Sequence, residues 1–276
     1  NMHALYLNGK PVKREGYLTD LMTDEAIGLM EQQTEKKPFF LYLPFTAPHA
    51  PYQGPNDISP EALPEDSDLW NQSKGPRQVY FAMLERMDQC IGKILKKLEE
   101  KNLQDNTLVI FMSDNGASRS GSNLPFSGFK GTLFEGGIRV PCIVKWPGVL
   151  REGMVSNQPC ITMDFSRSIV RSAGAKPPEN RSFDGIDILR AIETNQPVQK
   201  RTLFWRARRG QQTIKAVRDG SLKYIHEQDG NKVEEYLFEL EKDPAEKNNL
   251  FNEHKEDVQK LKTLLGDWEE KVKHNR

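Results

Sequence analysis

An apolar run, Thr107 to Met112, ends in Phe111-Met-Ser-Asp-Asn-Gly116. The Asp114 carboxylate and the Asn115 carbonyl are hard oxygen donors, the kind that Ca²⁺ or Mg²⁺ takes. Lys130 follows between glycines in Gly128-Phe-Lys-Gly131, where a compact ammonium could hold an oxyanion and the backbone could approach a ligand closely. His49 lies in Ala47-Pro-His-Ala-Pro-Tyr52 after a second apolar run, Phe39-Phe-Leu-Tyr-Leu43. A histidine there could protonate a leaving oxygen or bind an oxyanion. Together these types suggest a metal-assisted site for an anionic ester. Each also has a blander reading: a Ser-Asp-Asn-Gly turn, a surface lysine in a glycine loop, a loop histidine between prolines. Gly136-Gly137 and Arg139 read as structural, a tight turn with Arg139 paired to Glu135 or another acid.

The elements that must carry these residues can be read from periodicity. Thr23 is expected to cap a helix with Ala26, Ile27, Leu29 and Met30 on its apolar face. Phe39 to Leu43 reads as a buried strand, and the prolines after it as a stiff loop. Val79, Met83, Met87, Ile91, Ile94 and Leu98 recur at helical spacing between about Pro76 and Lys101. Thr107 to Met112 is the next strand. Strand, helix, strand is a βαβ crossover and predicts a mainly parallel sheet, with Asp114-Asn115 and His49 at carboxyl ends of strands. Ile138 to Trp146 reads as another strand and Met163 to Ala173 as a helix. Past about residue 196, short strands (Thr202 to Arg206, Thr213 to Arg218, Leu222 to His226, Glu235 to Leu240) alternate with turn residues such as Asp219-Gly220 and Asp229-Gly230. An amphipathic helix, Glu256 to Lys273, closes the chain. The expected architecture is an α/β part over 1–195, a mixed sheet flanked by helices, and a small α+β subdomain with an antiparallel sheet over 196–276.

Lys plus Arg and Asp plus Glu are 39 each in 276 residues. Zero net charge disfavours nucleic-acid binding by a basic surface. No apolar run approaches the roughly 20 residues that span a bilayer, so no membrane partner is expected. Cys90, Cys142 and Cys160 form no metal or disulfide spacing, and Cys90 and Cys142 read as small core residues. Asn71-Gln-Ser73 and Asn180-Arg-Ser182 fit the glycosylation acceptor pattern. Lys200 to Lys223 concentrates basic residues around one acid, Asp219; it reads as a solvated hairpin face or an anion-binding surface. No G-x-S-x-G elbow, Walker loop or H-E-x-x-H is present.

In this order the segments resemble the type I sulfatases, the arylsulfatase family of the alkaline phosphatase superfamily. Besides Phe39 to Tyr52, Phe111 to Gly116 and Phe129 to Pro141, the resemblance extends to Ile161-Thr-Met-Asp164, Asp184-Gly-Ile-Asp187, Ala216-Val-Arg-Asp-Gly220 and Leu237-Phe-Glu-Leu-Glu-Lys-Asp-Pro244. It implies that Asp114 and Asn115 are Ca²⁺ ligands (Mg²⁺ as alternative) and that Lys130 and His49 hold the sulfate, one of them protonating the leaving alcohol. The implied substrate is a sulfated small molecule or glycan, and the implied compartment is periplasmic, secreted or lysosomal. Family members also carry a Cys or Ser in C/S-x-P-x-R, converted to formylglycine, the nucleophile. No such motif occurs here: Cys90, Cys142 and Cys160 are followed by Ile-Gly-Lys, Ile-Val-Lys and Ile-Thr-Met. The expectation is a truncated, C-terminal portion of a sulfatase, inactive alone, with an exposed sheet edge prone to self-association. Two alternatives stay open: a phosphoester or phosphonate hydrolase of the same superfamily, and a non-catalytic sulfated-glycan-binding fragment using Lys200 to Lys223.

Overall fold

A computed structural model describes residues 5–34, 37–57, 63–71, 74–177, 179–180 and 182–273. Gln72, Ser73 and Arg181 of the two glycosylation patterns lie outside them. The elements are β1 (Tyr6–Leu7), β2 (Lys10–Pro11), α1 (Leu18–Glu31), α2 (Arg77–Glu100), β3 (Val109–Met112), α3 (Glu135–Ile138), β4 (Cys142–Lys145), α4 (Thr162–Ser172), α5 (Ile188–Glu193), β5 (Thr202–Arg209), β6 (Gln212–Asp219), β7 (Leu222–Asp229), β8 (Lys232–Glu239) and α6 (Lys255–Lys273). The chain divides into two compact units, residues 1–107 with 117–122 and residues 108–116 with 123–276. Among the described residues no helix is long and apolar enough to cross a membrane.

The first unit is built on α1 and α2. Of the predicted apolar face of α2, Met83 and Leu98 are buried and Val79, Met87, Ile91 and Ile94 half-buried; Tyr80 and Cys90, outside that face, are buried too. Met83 and Tyr80 pack with Ala47 and Tyr52 under the proline-rich loop. The start of α1 differs from expectation. It begins at Leu18, five residues before Thr23, and Thr23 sits inside with its hydroxyl donating to the Thr19 carbonyl at 2.7 Å. A threonine can satisfy its hydroxyl on the preceding turn as well as at a cap, so type alone did not place the boundary. Phe39 to Leu43 forms no strand among the described residues, and Phe40 and Tyr42 are exposed, against the expected buried strand.

Arg86 clamps α2 to α1. Its Nε and Nη2 donate to the two Asp20 carboxylate oxygens at 2.8 and 2.9 Å, and the Cys90 thiol donates to the same carboxylate at 3.3 Å. Burial opposes ionisation of Asp20, but these donors outweigh it and hold its carboxyl below the ordinary carboxylate range. A depressed acid contributes stability above its unfolded pKa and loses it as pH falls through the folded one. Arg86→Met is therefore expected to cost about 1–2 kcal/mol near neutrality, the pair being partly exposed, and progressively less below about pH 4. Urea titrations at several pH values check this; a cost independent of pH down to about pH 2 would contradict it.

In the second unit β3 pairs with β4 antiparallel, Val109 opposite Lys145 and Met112 opposite Cys142, in place of the expected parallel crossover. An apolar run marks a buried strand without naming its partner. Leu108, Ile110, Met112 and Val144 pack on Phe165, Ile188 and Leu189 of α4 and α5. The predicted strand from Ile138 shortens to β4, because Glu135–Ile138 forms a helical turn and Pro141 can donate nothing to a ladder. Cys142 and Cys160 are exposed and Cys90 is buried, so only Cys90 fits the core expectation.

β5 to β8 form an antiparallel meander with two-residue turns. Gly210, Gly220 and Gly230 take positive φ at the first turn position, the glycine requirement of tight hairpins. Alternation sets two buried faces. Val217, Tyr224 and Leu237 pack on Val258, Leu261 and Leu265 of α6. Ile214, Ala216, Ile225 and Phe238 pack on Leu133, with Phe134 and Ile138 against the same cluster. The second face thus covers the loop that follows Lys130. The fold is α/β, with an antiparallel C-terminal sheet and flanking helices.

Candidate functional site

Asp114 and Asn115 follow β3 directly. The Ser113 hydroxyl donates to the Asn115 carbonyl at 2.9 Å and shapes the turn. Gly116 N–H then donates to the Gly137 carbonyl at 2.9 Å, and Gly136 N–H to the Ser127 carbonyl at 2.6 Å. These glycines are obligatory for space. A β-carbon on Gly116 would lie 1.8 Å from the Gly136 oxygen, and one on Gly137 would lie 2.2 Å from the Thr132 oxygen. The glycine pair was read as structural, and it is what binds the Asp114-Asn115 turn to the Lys130 loop. Arg139 lies 3.6 Å from the Glu135 carboxylate, as its spacing predicted, and stacks on Phe126 at 4.6 Å.

The Lys130 loop closes on itself: Thr132 N–H donates to the Phe129 carbonyl, and Phe129 N–H to the Thr132 hydroxyl. Gly128 and Gly131 on either side have φ of +82° and +96°, conformations other residues rarely adopt. Asp114 is exposed and Lys130 half-buried, and neither has an ion pair among the described residues. His49 belongs to the first unit. Its Nδ1 lies 2.7 Å from the Ala50 carbonyl. A carbonyl only accepts, so Nδ1 carries hydrogen.

Asp114 and Asn115 suit a hard cation by donor type, and no cation among the described residues pairs with the carboxylate. They are an incomplete set. Ca²⁺ takes six to eight oxygens, and no cluster of three or more His, Cys, Asp or Glu suited to a metal occurs among the described residues.

Beneath this loop lies a constellation that sequence reasoning missed. Lys223, fully buried, donates to Glu135 at 2.9 Å and to Glu246 at 2.8 Å. The second Glu246 oxygen accepts the Glu135 N–H at 2.6 Å, and the Ser127 hydroxyl donates to the Ala245 carbonyl at 2.6 Å. Burial pushes the Glu246 carboxyl up, while the Lys223 ammonium opposes the rise. Two carboxylates on one ammonium in a dry site explain that direction. In sequence, Lys223 had been counted with the exposed basic stretch. That stretch is largely spent internally: Arg201 on Asp164 at 2.6 Å, Lys215 on Glu269 at 2.8 Å, Lys200 on Asp219 at 3.5 Å.

Comparison with known proteins identifies the family of the chain. A family profile described as Sulfatase matches residues 2–175, and one described as N-sulphoglucosamine sulphohydrolase, C-terminal, matches residues 129–271. The chain is 34% identical over 223 residues to N-acetylgalactosamine-6-sulfatase of Mus musculus, covering 77% of this chain and 40% of that protein. It is 32% identical over 255 residues to a sulfatase of Formosa agariphila, covering 86% and 44%. The crystal structure of Ps i-CgsB, also solved in complex with k-i-k-neocarrahexaose, superposes with a TM-score of 0.81 at 31% identity, covering 95% of this chain and 56% of that one. The chain thus spans about half the length, or less, of these relatives. By sequence profile along most of its length, the chain belongs to the sulfatase family.

Proposed function

We propose that this chain is part of a sulfuric ester hydrolase acting on sulfated glycans, with Ca²⁺ held in part by Asp114 and Asn115. The observation that carries the reading is the pair of glycine-locked loops in the second unit. They present a carboxylate and a lysine, each without an ion pair among the described residues, and an amide on rigid backbone, in a chain of the sulfatase family. The glycan substrate is supported by the names of relatives, an N-acetylgalactosamine sulfatase and a protein crystallised with a carrahexaose.

In this reading Lys130 binds a sulfate oxygen and lowers the cost of charge building there. His49, donating through Nδ1 to its own loop, holds the sulfate or protonates the departing alcohol through Nε2, with the ring in its imidazolium form. Bound Ca²⁺ would supply further charge neutralisation. The C/S-x-P-x-R nucleophile motif does not occur in this sequence. The chain alone is therefore expected to show no multiple turnover of an aryl sulfate, with or without added Ca²⁺. A protein joining it to a formylglycine-bearing region should turn over, and chelation should abolish the activity. Sustained Ca²⁺-dependent hydrolysis by the pure chain would refute the division of roles.

A further inference from the structure

Basic side chains around the C-terminal sheet are mostly matched by acids: Arg201 by Asp164, Lys215 and Arg206 by Glu269, Lys223 by Glu135 and Glu246, Lys260 by Asp219. Arg209 is an exception. It ends β5 at the Gly210-Gln211 turn, is exposed, and has no carboxylate within ion-pair distance among the described residues. Its guanidinium is nevertheless placed. A β-carbon on Gly131 would lie 2.6 Å from Nη1, 3.0 Å from Nη2 and 3.1 Å from Cζ, so the planar group lies over the Gly131 backbone. Gly131 has φ +96° and is the immediate neighbour of Lys130. The fold thus brings a second unneutralised cation to the segment that carries the first, through an approach only glycine permits.

Two cations, one on the loop and one lying against it, with no ion-paired carboxylate among the described residues, favour an anion beside them. A guanidinium offers paired N–H donors that match the oxygens of sulfate or carboxylate. We propose that Arg209 is a specificity-determining residue: it pairs with a second oxyanion, sulfate or carboxylate, on the glycan whose scissile sulfate Lys130 holds. This rests on the sulfatase reading for the role of Lys130, but not for the anion preference of Arg209.

The test compares wild type, Arg209→Gln and Arg209→Lys in the protein that joins this chain to a formylglycine-bearing region. Substrates are an amino sugar with one sulfate, the same sugar with two, a sulfated uronic-acid disaccharide, and an uncharged aryl sulfate. For R209Q, KM is expected to rise about tenfold on substrates bearing a second anion. kcat should change less than twofold, and the monosulfated sugar and aryl sulfate should be unaffected. R209K should recover part of the loss. Which substrates respond distinguishes sulfate from carboxylate as the second group. Equal changes on all substrates, or none on any, would overturn the proposal. If wild type turns over no sulfate ester, the sulfatase reading fails, and calorimetric titration with the disulfated sugar decides Arg209. Weaker binding by R209Q would support it, and equal binding would overturn it.

Discussion

Replacing Lys223 by methionine is expected to cost about 3–5 kcal/mol of stability, among the largest effects open to a single substitution here. The side chain is fully buried and is the shared cation of two carboxylates. Methionine fills similar volume, so packing loss is small and the cost is mainly that of stranding Glu135 and Glu246 without a counter-charge. The effect should depend on pH. Burial already raises the Glu246 carboxyl against the pull of Lys223. A raised acid contributes stability below its unfolded pKa and loses it as pH rises through the folded value. Without the ammonium that loss grows, so K223M should be more damaging at pH 8 than at pH 5. Denaturant titrations of the C-terminal unit at both values measure it. A cost below about 1 kcal/mol at both would show that the triad is not the buried network described. Lys223→Arg, which keeps the charge, should fall between.

Replacing Lys130 by alanine should leave the fold intact and cost about 100- to 1000-fold in kcat on any sulfate ester, the range for removing one preorganised charge from an oxyanion site. The lysine is half-buried and has no carboxylate within ion-pair distance among the described residues. Its removal should therefore shift the melting temperature by no more than about 2 °C while removing turnover. The contrast with Lys223 is the point of the pair: one lysine is buried in the loop's foundation, the other is half-buried on the loop itself. A K130A protein with more than a tenth of wild-type kcat would place sulfate binding elsewhere.

The contrast also shows what could be read in advance. α2, α6 and the hairpins of β5 to β8 were legible, because helical spacing and Gly-bearing turns are local signals that tertiary structure did not override. The glycine pair and the Glu135–Arg139 contact were legible for the same reason. The start of α1 was not, since Thr23 is equally at home inside a helix. Nor was the pairing of β3, because an apolar strand carries no address. The buried triad was hidden more deeply. Lys223 stands in a strand between Leu222 and Tyr224, where alternation assigns a lysine to solvent, and its two partners lie 88 and 23 residues away. Only the loop of Leu133 to Ile138, covering that sheet face, makes the position internal. Arg209 was counted in a basic stretch that is otherwise mostly neutralised.

The most direct test of the function proposed is a ratio, kcat/KM for para-nitrophenyl sulfate against para-nitrophenyl phosphate. It is to be measured on the protein that joins this chain to a formylglycine-bearing region, with Ca²⁺ present. The two esters share shape and leaving group and differ in charge, so the ratio reports the site rather than the substrate's reach. A sulfate preference of at least about 100-fold, lost on chelation, is expected. Preference for phosphate, or turnover of neither, would contradict the assignment of Asp114, Asn115, Lys130 and His49 to a sulfatase site.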